Sequence, residues 1–188
     1  MCIRDSYKAA CTVFGGNPRV FRYYSQSDEI SIDLLTAENS PVQGCISYST
    51  LGLMHEPAGL RRSNIPLRLE IASACSNKFI HMPDLLSACG FEIASARFSC
   101  REGAVLTDFV NTYVPGSPMK HLLFLSDYPW EKSLPEITFD DKIVHWLYVL
   151  PVSEQELSLV RGGGIPPLLE LFKKKQTDIF DLKRPSVI

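Results

Sequence analysis

This chain of 188 residues is short of the signatures that announce a chemistry. Its longest apolar runs fall far below the ~20 residues that a membrane-spanning helix needs. No charged-then-apolar leader with a small-residue cleavage site opens it, so export through a signal peptide is not expected. The six cysteines, Cys2, Cys11, Cys45, Cys75, Cys89 and Cys100, include no closely spaced pair. Several lie in apolar stretches, where cysteine acts as a small hydrophobe, and reduced thiols in a cytoplasmic protein are the expectation. Net charge is only −2, with an isoelectric point near 6.1. No global field therefore points to nucleic acid or to an anionic membrane.

Reactive motifs are equally scarce. There is no G-x-S-x-G elbow, and the serines near glycine lack a strand–turn–helix context. Gly162-Gly163-Gly164 follows a helical segment with no Lys-Ser/Thr after it, so it breaks a helix and cradles no phosphate. Lys173-Lys174-Lys175 falls at a helix carboxy end, where cations meet the dipole favourably. A zinc site would have to draw Cys75, His81 and Cys89 together without any CxxC, and buried thiols with an ordinary histidine explain them better. His145 reads as a hydrogen-bonded core or edge histidine rather than a general base. Asp140 and Asp141 are adjacent, so on a strand they would point to opposite faces and could not share one site. No catalytic, cofactor-binding or metal residue is expected.

What the chain does carry is architecture, most legibly in residues 142–175. Residues 143–150 are almost wholly apolar and rich in β-branched and aromatic types, which predicts a strand buried on both faces and ended by Pro151. Ser153-Glu154-Gln155-Glu156 is a capping box that starts a helix with Leu157 and Val160 inward, stopped by the glycines. Pro166 and Pro167 suit the first turn of a second helix carrying Leu168, Leu169, Leu171 and Phe172.

Upstream, residues 1–6 show no periodicity and read as a non-native leader, leaving residues 7–188 as one domain. Residues 7–14 predict a helix with Ala10, Val13 and Phe14 inward. Strands at 20–25, 30–36 and 44–50, joined by short turns, predict an antiparallel meander. Residues 52–65 read as a long loop and 67–72 as a fourth strand. Met82, Leu86, Cys89, Ile93 and Ala96 make the stripe of a helix that starts near Pro83 and lies on the sheet, with close packing at Gly90. Residues 109–113 and 121–126 predict two more strands. In the last segment Ile179-Phe180 reads as an anchor, and Asp181 is placed to pair with Arg184. The fold class is α+β: a single domain, a mainly antiparallel β-sheet with helices packed on it.

One charge feature stands out. From 127 to 156 the acids Asp127, Glu131, Glu136, Asp140, Asp141, Glu154 and Glu156 face only Lys132 and Lys142, so seven acids minus two bases gives −5. With Tyr128 and Trp130 interleaved, Asp127, Tyr128, Trp130, Glu131, Asp140 and Asp141 are the candidate partner-binding residues, Trp130 serving as anchor.

The runs Tyr48-Ser49-Thr50-Leu51-Gly52-Leu53, Arg68-Leu69-Glu70-Ile71, and His145-Trp146-Leu147 through Pro151-Val152-Ser153-Glu154-Gln155-Glu156-Leu157 resemble the suppressor-of-fused (SUFU-like) domain. Val13-Phe14-Gly15-Gly16-Asn17-Pro18, Met119-Lys120-His121 and Phe180-Asp181-Leu182-Lys183-Arg184-Pro185-Ser186-Val187 are similar to its bacterial antitoxin branch, typified by YqcF. The resemblance implies a non-enzymatic immunity protein without cofactor, whose partner is a cognate protein toxin, a nuclease. It transfers no set of toxin-contact residues. A second reading is a peptide-binding scaffold of the suppressor-of-fused type, gripping a segment by strand addition near residues 48–52 and 67–71. A third is a hydrolase using His145 with Asp140 or Asp141.

Overall fold

The computed structural model describes residues 2–27, 29–126 and 129–188. Strand β9 (Ile143–Val152) organises it. Its neighbours are β5 (Ile65–Ser76), parallel to it, and β7 (His121–Leu125), antiparallel. From β5 the sheet runs outward through β3 (Cys45–Leu51) and β2 (Ser31–Glu38) to β1 (Arg19–Tyr24). Beyond β7 lies only the two-residue β6 (Val105–Leu106). Two short strands pair at the sides: β4 (Leu60–Arg62) with β5, and β8 (Ile137–Thr138) with β9. Every pairing except β5 with β9 is antiparallel.

Alternation along the strands sorts side chains into two cores, one on each face. Val144, Trp146, Tyr148, Leu150 and Val152 of β9 join Leu123 and Leu125 of β7 on the first face. There they meet helices α1 (Cys2–Phe14), α3 (Glu154–Gly163) and α4 (Ile165–Lys175). Leu147 and Val149 join Leu122, Phe124, Leu69 and Ile71 on the second face, under α2 (Met82–Ala94). A strand buried on both sides explains the unbroken apolar run at residues 143–150.

The local chemistry expected of the carboxy-terminal third is present. Ser153 Oγ accepts from the Glu156 amide, and Glu156 reaches back to the Ser153 amide. Gly164, with φ of 81°, separates α3 from α4. Gly90 is where α2 touches the sheet: a Cβ there would come within 2.6 Å of Ile32 Cδ1. The meander β1–β2–β3 is also as expected.

Other expectations need correction. Pro151 does not end β9; it sits in the strand opposite Leu122, beyond Tyr148 where the pairing with β5 stops. Residues 110–112 form a 3-10 turn rather than a strand. The long loop after β3 holds a 3-10 turn (Leu53–His55) and the β4–β5 hairpin, turned by Ser63 and Asn64 at positive φ. Residues of the expected leader continue α1: Ser6 is buried, with its hydroxyl on Met54 Sδ at 3.4 Å. Ala96 lies past the end of α2 and is exposed.

Arg184 does not pair with Asp181. It turns inward and forms two bonds with the fully buried Glu156, Nη2 to Oε2 at 2.8 Å, with its guanidinium 4.9 Å from the Phe172 ring centre. Glu156 Oε1 also accepts from the Val187 amide at 2.9 Å. The cap of α3 is thereby the anchor of the last eight residues. Removing one member of a buried ion pair strands the other charge, at a typical cost of about 3–5 kcal/mol. Arg184→Ala is therefore expected to lower stability by that order in urea melts. Adding Glu156→Gln to Arg184→Met should recover part of the loss, because no charge is then left unpaired.

Candidate interaction surfaces

Residues 129–142 carry the chain from β7 to β9, and the structure divides the candidate residues there. Asp127 and Tyr128 lie outside the described residues. Trp130 is not an exposed anchor: it is 6% accessible, because the connection needs a tether to the first core. Its indole Nε1 donates to Ser47 Oγ at 2.7 Å, and its ring stacks on Phe14 with centroids 4.7 Å apart. Tyr148 meets it edge-on at 5.6 Å. Glu131, Asp140 and Asp141 are exposed. The two aspartates do not sit on a strand; they form the tip of the β8–β9 hairpin, closed by the Phe139 amide donating to the Lys142 carbonyl at 2.8 Å.

Three of the seven acids in this part of the chain are engaged elsewhere. Glu136 pairs with Arg62 at 2.8 Å and with His145 Nδ1 at 3.2 Å. Glu154 accepts from the buried His121 Nε2 at 2.9 Å. The other imidazole nitrogen, Nδ1, accepts from the Asp108 amide, so the proton is on Nε2. Glu156 is held by Arg184. Among the described residues, the acids of this segment without such a partner are Glu131, Asp140 and Asp141.

Reactive candidates are dispersed. The carboxylate beside His145 is Glu136, not Asp140 or Asp141. His81 is exposed on Asp84, whereas Cys75 and Cys89 are buried. Burial pushes the Cys75 thiol up to about 12 and Cys89 well above its ordinary value, so neither supplies a thiolate near neutrality. Among the described residues no group of three or more His, Cys, Asp or Glu could hold a metal ion.

A titratable group that no sequence motif marks lies between β3 and β5. Their ladder stops at Ser49 opposite Ala72, and side chains continue it. Glu70, fully buried, accepts from Thr50 Oγ1 at 2.5 Å and from the Gly52 amide at 2.7 Å. Thr50 Oγ1 in turn accepts from the Ile71 amide at 2.9 Å. Burial pushes the Glu70 carboxyl up to about 8, against the pull of these donors. When it is neutral its proton serves Thr50 Oγ1, whose own hydroxyl then turns to the Ile71 carbonyl at 3.4 Å.

Around the start of α2 the surface is indented on three sides. One hollow of about 320 Å³ is lined by Phe21, Tyr23, Ile46, Tyr48, Ile80 and Pro83 among others. A second, of about 540 Å³, shares Tyr23, and a third, of about 430 Å³, shares Phe79 and Ile80. Ile80, 75% exposed, lines both the first and the third.

The model of the suppressor of fused protein family matches residues 28–185. This chain belongs to the SUFU family. It is 37% identical over 175 residues to the immunity protein YqcF of Bacillus subtilis (strain 168), covering 93% of this chain and 91% of that protein. Its fold is that of a SUFU homolog from Neisseria gonorrhoeae FA 1090, with a TM-score of 0.75 at 13% identity, covering 100% of this chain and 97% of that one. The chain of a Sufu–Fu complex gives 0.67 at 14%, covering 99% and 92%.

In this SUFU-family chain the segments at 48–52 and 67–71 are neighbours, each with a full ladder on one side only: 48–51 with β2, and 67–71 with β9. Between them the mutual ladder covers only 45–49 with 72–76, and Thr50 with Glu70 bridges the gap beyond it. Among the described residues no helix is long and apolar enough to cross a membrane.

Glu70 gives this site a pH signature. An unfolded chain releases the proton near the ordinary 4.5, and the folded one holds it to about 8. Stability is then greatest at the acid end of that window and falls as pH rises through it, by about 1.4 kcal/mol for each pH step of one. Melting temperatures measured across the window should drop by an amount equivalent to a few kcal/mol, and Glu70→Gln should flatten that slope.

Proposed function

We propose that the chain is an immunity protein that binds a cognate protein toxin and neutralises it by covering its working face, acting in the cytoplasm and breaking no covalent bond. The observation that carries this reading is the 37% identity that extends over 91% of an immunity protein. The dispersal of reactive side chains agrees with an occluding role. For a nuclease toxin, the physical requirement is a surface that competes with phosphates for a basic groove. The exposed Asp140-Asp141 turn, with Glu131 nearby in sequence, supplies negative charge at the tip of the β8–β9 hairpin. Its job in this reading is to steer and orient the encounter, while apolar contacts beyond it hold the complex.

A second reading, a protein-binding scaffold with no toxin, takes support from the fold shared with the Sufu of the Sufu–Fu complex. The genes separate the two: an immunity protein is encoded beside a large secreted toxin.

Co-expression with the toxin encoded beside this chain's gene should restore growth. The triple variant Glu131→Lys, Asp140→Lys, Asp141→Lys is expected to slow association at least about tenfold at low salt and to weaken protection. Unchanged association and survival would move the toxin interface off this hairpin.

A further inference from the structure

A hollow of about 540 Å³ runs along α2, between the end of β1 and the residues after the 3-10 turn at 110–112. Helical spacing makes it. Asp84, Ala88 and Phe91 fall on one stripe of α2, and the short side chains of Ser87 and Ala88 leave room between the longer ones. Tyr23 forms one wall, held beside α2 because its partner in β2 is Ile32, the residue that packs on Gly90. Tyr113 forms another, directly after the turn, with its ring centre 5.8 Å from that of Phe109.

Of the residues that line this hollow, Asp84, Glu92 and Arg97 carry charge, and two of them cancel. Arg97 holds both oxygens of Glu92, at 3.0 and 2.9 Å. Asp84 meets no lysine or arginine among the described residues. Its Oδ2 lies 3.2 Å from His81 Nδ1, and His81 lines the neighbouring hollow instead of this one. The carboxylates reach both phenols: burial raises Tyr23 and Asp84 raises it further, and burial raises Tyr113, with Asp84 and Glu92 adding to it. Electron-rich ring faces beside a carboxylate that no base matches attract a cation. One such carboxylate is too few for a metal ion, so the fitting group is a guanidinium or an ammonium. The surroundings say what carries it. On the other side of Tyr23 lies the hollow of about 320 Å³, where Phe21 and Ile80 are both exposed. A protein surface can place a basic side chain and an apolar one in the two hollows at once, and a free small cation cannot.

We propose that the hollow between Tyr23 and Tyr113 receives an arginine or lysine side chain of the protein toxin, with Asp84 as its counter-ion, while the hollow at Phe21 and Ile80 seats an apolar residue beside it. This rests on the reading of the chain as an immunity protein, and it adds a second contact to the acidic hairpin. The two contacts differ in kind. Exposed charge at Glu131, Asp140 and Asp141 governs how fast the proteins meet, and a seated side chain governs how long they stay together.

Two measurements test this. The full chain alone is titrated with N-acetylarginine amide and followed by nuclear magnetic resonance. Resonances of Tyr23, Tyr113 and the first turns of α2 should shift and saturate. Asp84→Asn, checked for folding by circular dichroism, should abolish the shifts, and N-acetylglutamine amide should give none. Next, binding to the toxin encoded beside this chain's gene is timed for Asp84→Asn and for Tyr113→Leu, which keeps apolar bulk and removes the ring face. Each is expected to dissociate at least about tenfold faster with association within about twofold, the reverse of the hairpin triple variant. Absent shifts at the hollow overturn the proposal, as does unchanged dissociation in both folded variants. Shifts with unchanged dissociation would give the hollow to a small cation, which also overturns it. A wild-type chain that fails to bind the toxin overturns the immunity reading and the toxin's part in this proposal, and the amide titration separates that failure from a hollow that takes no cation.

Discussion

The layout of this molecule follows from β9 and residues 69–75 of β5 having no solvent side. A sheet whose middle strands bury both faces must be covered twice, and the chain does so unequally. Three helices cover one face, α1, α3 and α4, and α2 with the loops around the 3-10 turn at 110–112 covers the other. The parallel pairing of β5 with β9 is the necessary cost of this layout. It leaves a crossover of 66 residues, 77–142, that has to supply α2, β6, β7 and β8 on the way. Several of the polar groups that remain inside answer this demand. Glu70 and Thr50 continue a backbone ladder by side chains, and Ser47 and Ser49 offer oxygens to Trp130 and Trp146 at the sheet face.

The ion pair of Glu156 with Arg184 performs a different task. A helix cap is normally a local device, satisfying the first amides of its own turn. Here the capping carboxylate is also the receptor for the end of the chain, joined by Ser153 with Ser186 and by Lys175 with the Val187 carbonyl. Helices α3 and α4, which follow one another through Gly164, are thus closed against β9 by the tail. The first face of the sheet is sealed by contacts between residues about thirty positions apart.

Where pattern and physics coincide, the fold was legible in the residues. The apolar run at 143–150, the capping box at Ser153, the prolines opening α4 and the stripe of α2 from Met82 to Ile93 all reflect local rules, and the structure obeys them. Gly90 was legible for the same reason: glycine in a helix costs stability and so marks a close approach. What escaped was decided at long range. Strand β5 and β9 being neighbours, and parallel, has no signature in either segment. Trp130 read as a surface aromatic because its flanks are polar, yet its partners Phe14, Ser47 and Tyr148 come from three distant parts of the chain. The pairing of Arg184 with Glu156 instead of Asp181 is of the same kind. Of the candidate surface, the acidic tip at Asp140 and Asp141 was visible as composition, but its projection on a hairpin was not.

The place of β9 in the order of synthesis has a consequence for how the chain comes into being. The central strand is made after both of the strands that flank it. Until it arrives, β5 on one side and β7 on the other present unsatisfied flanks, and neither half of the sheet is closed. Early meander contacts between β1, β2 and β3 can form as soon as they emerge, whereas the core waits for a segment that must insert between two finished pieces. Contacts so distant in sequence slow assembly and lengthen the exposure of sticky edges. A nascent chain of this design therefore keeps the inner flanks of β5 and β7 open until β9 has emerged.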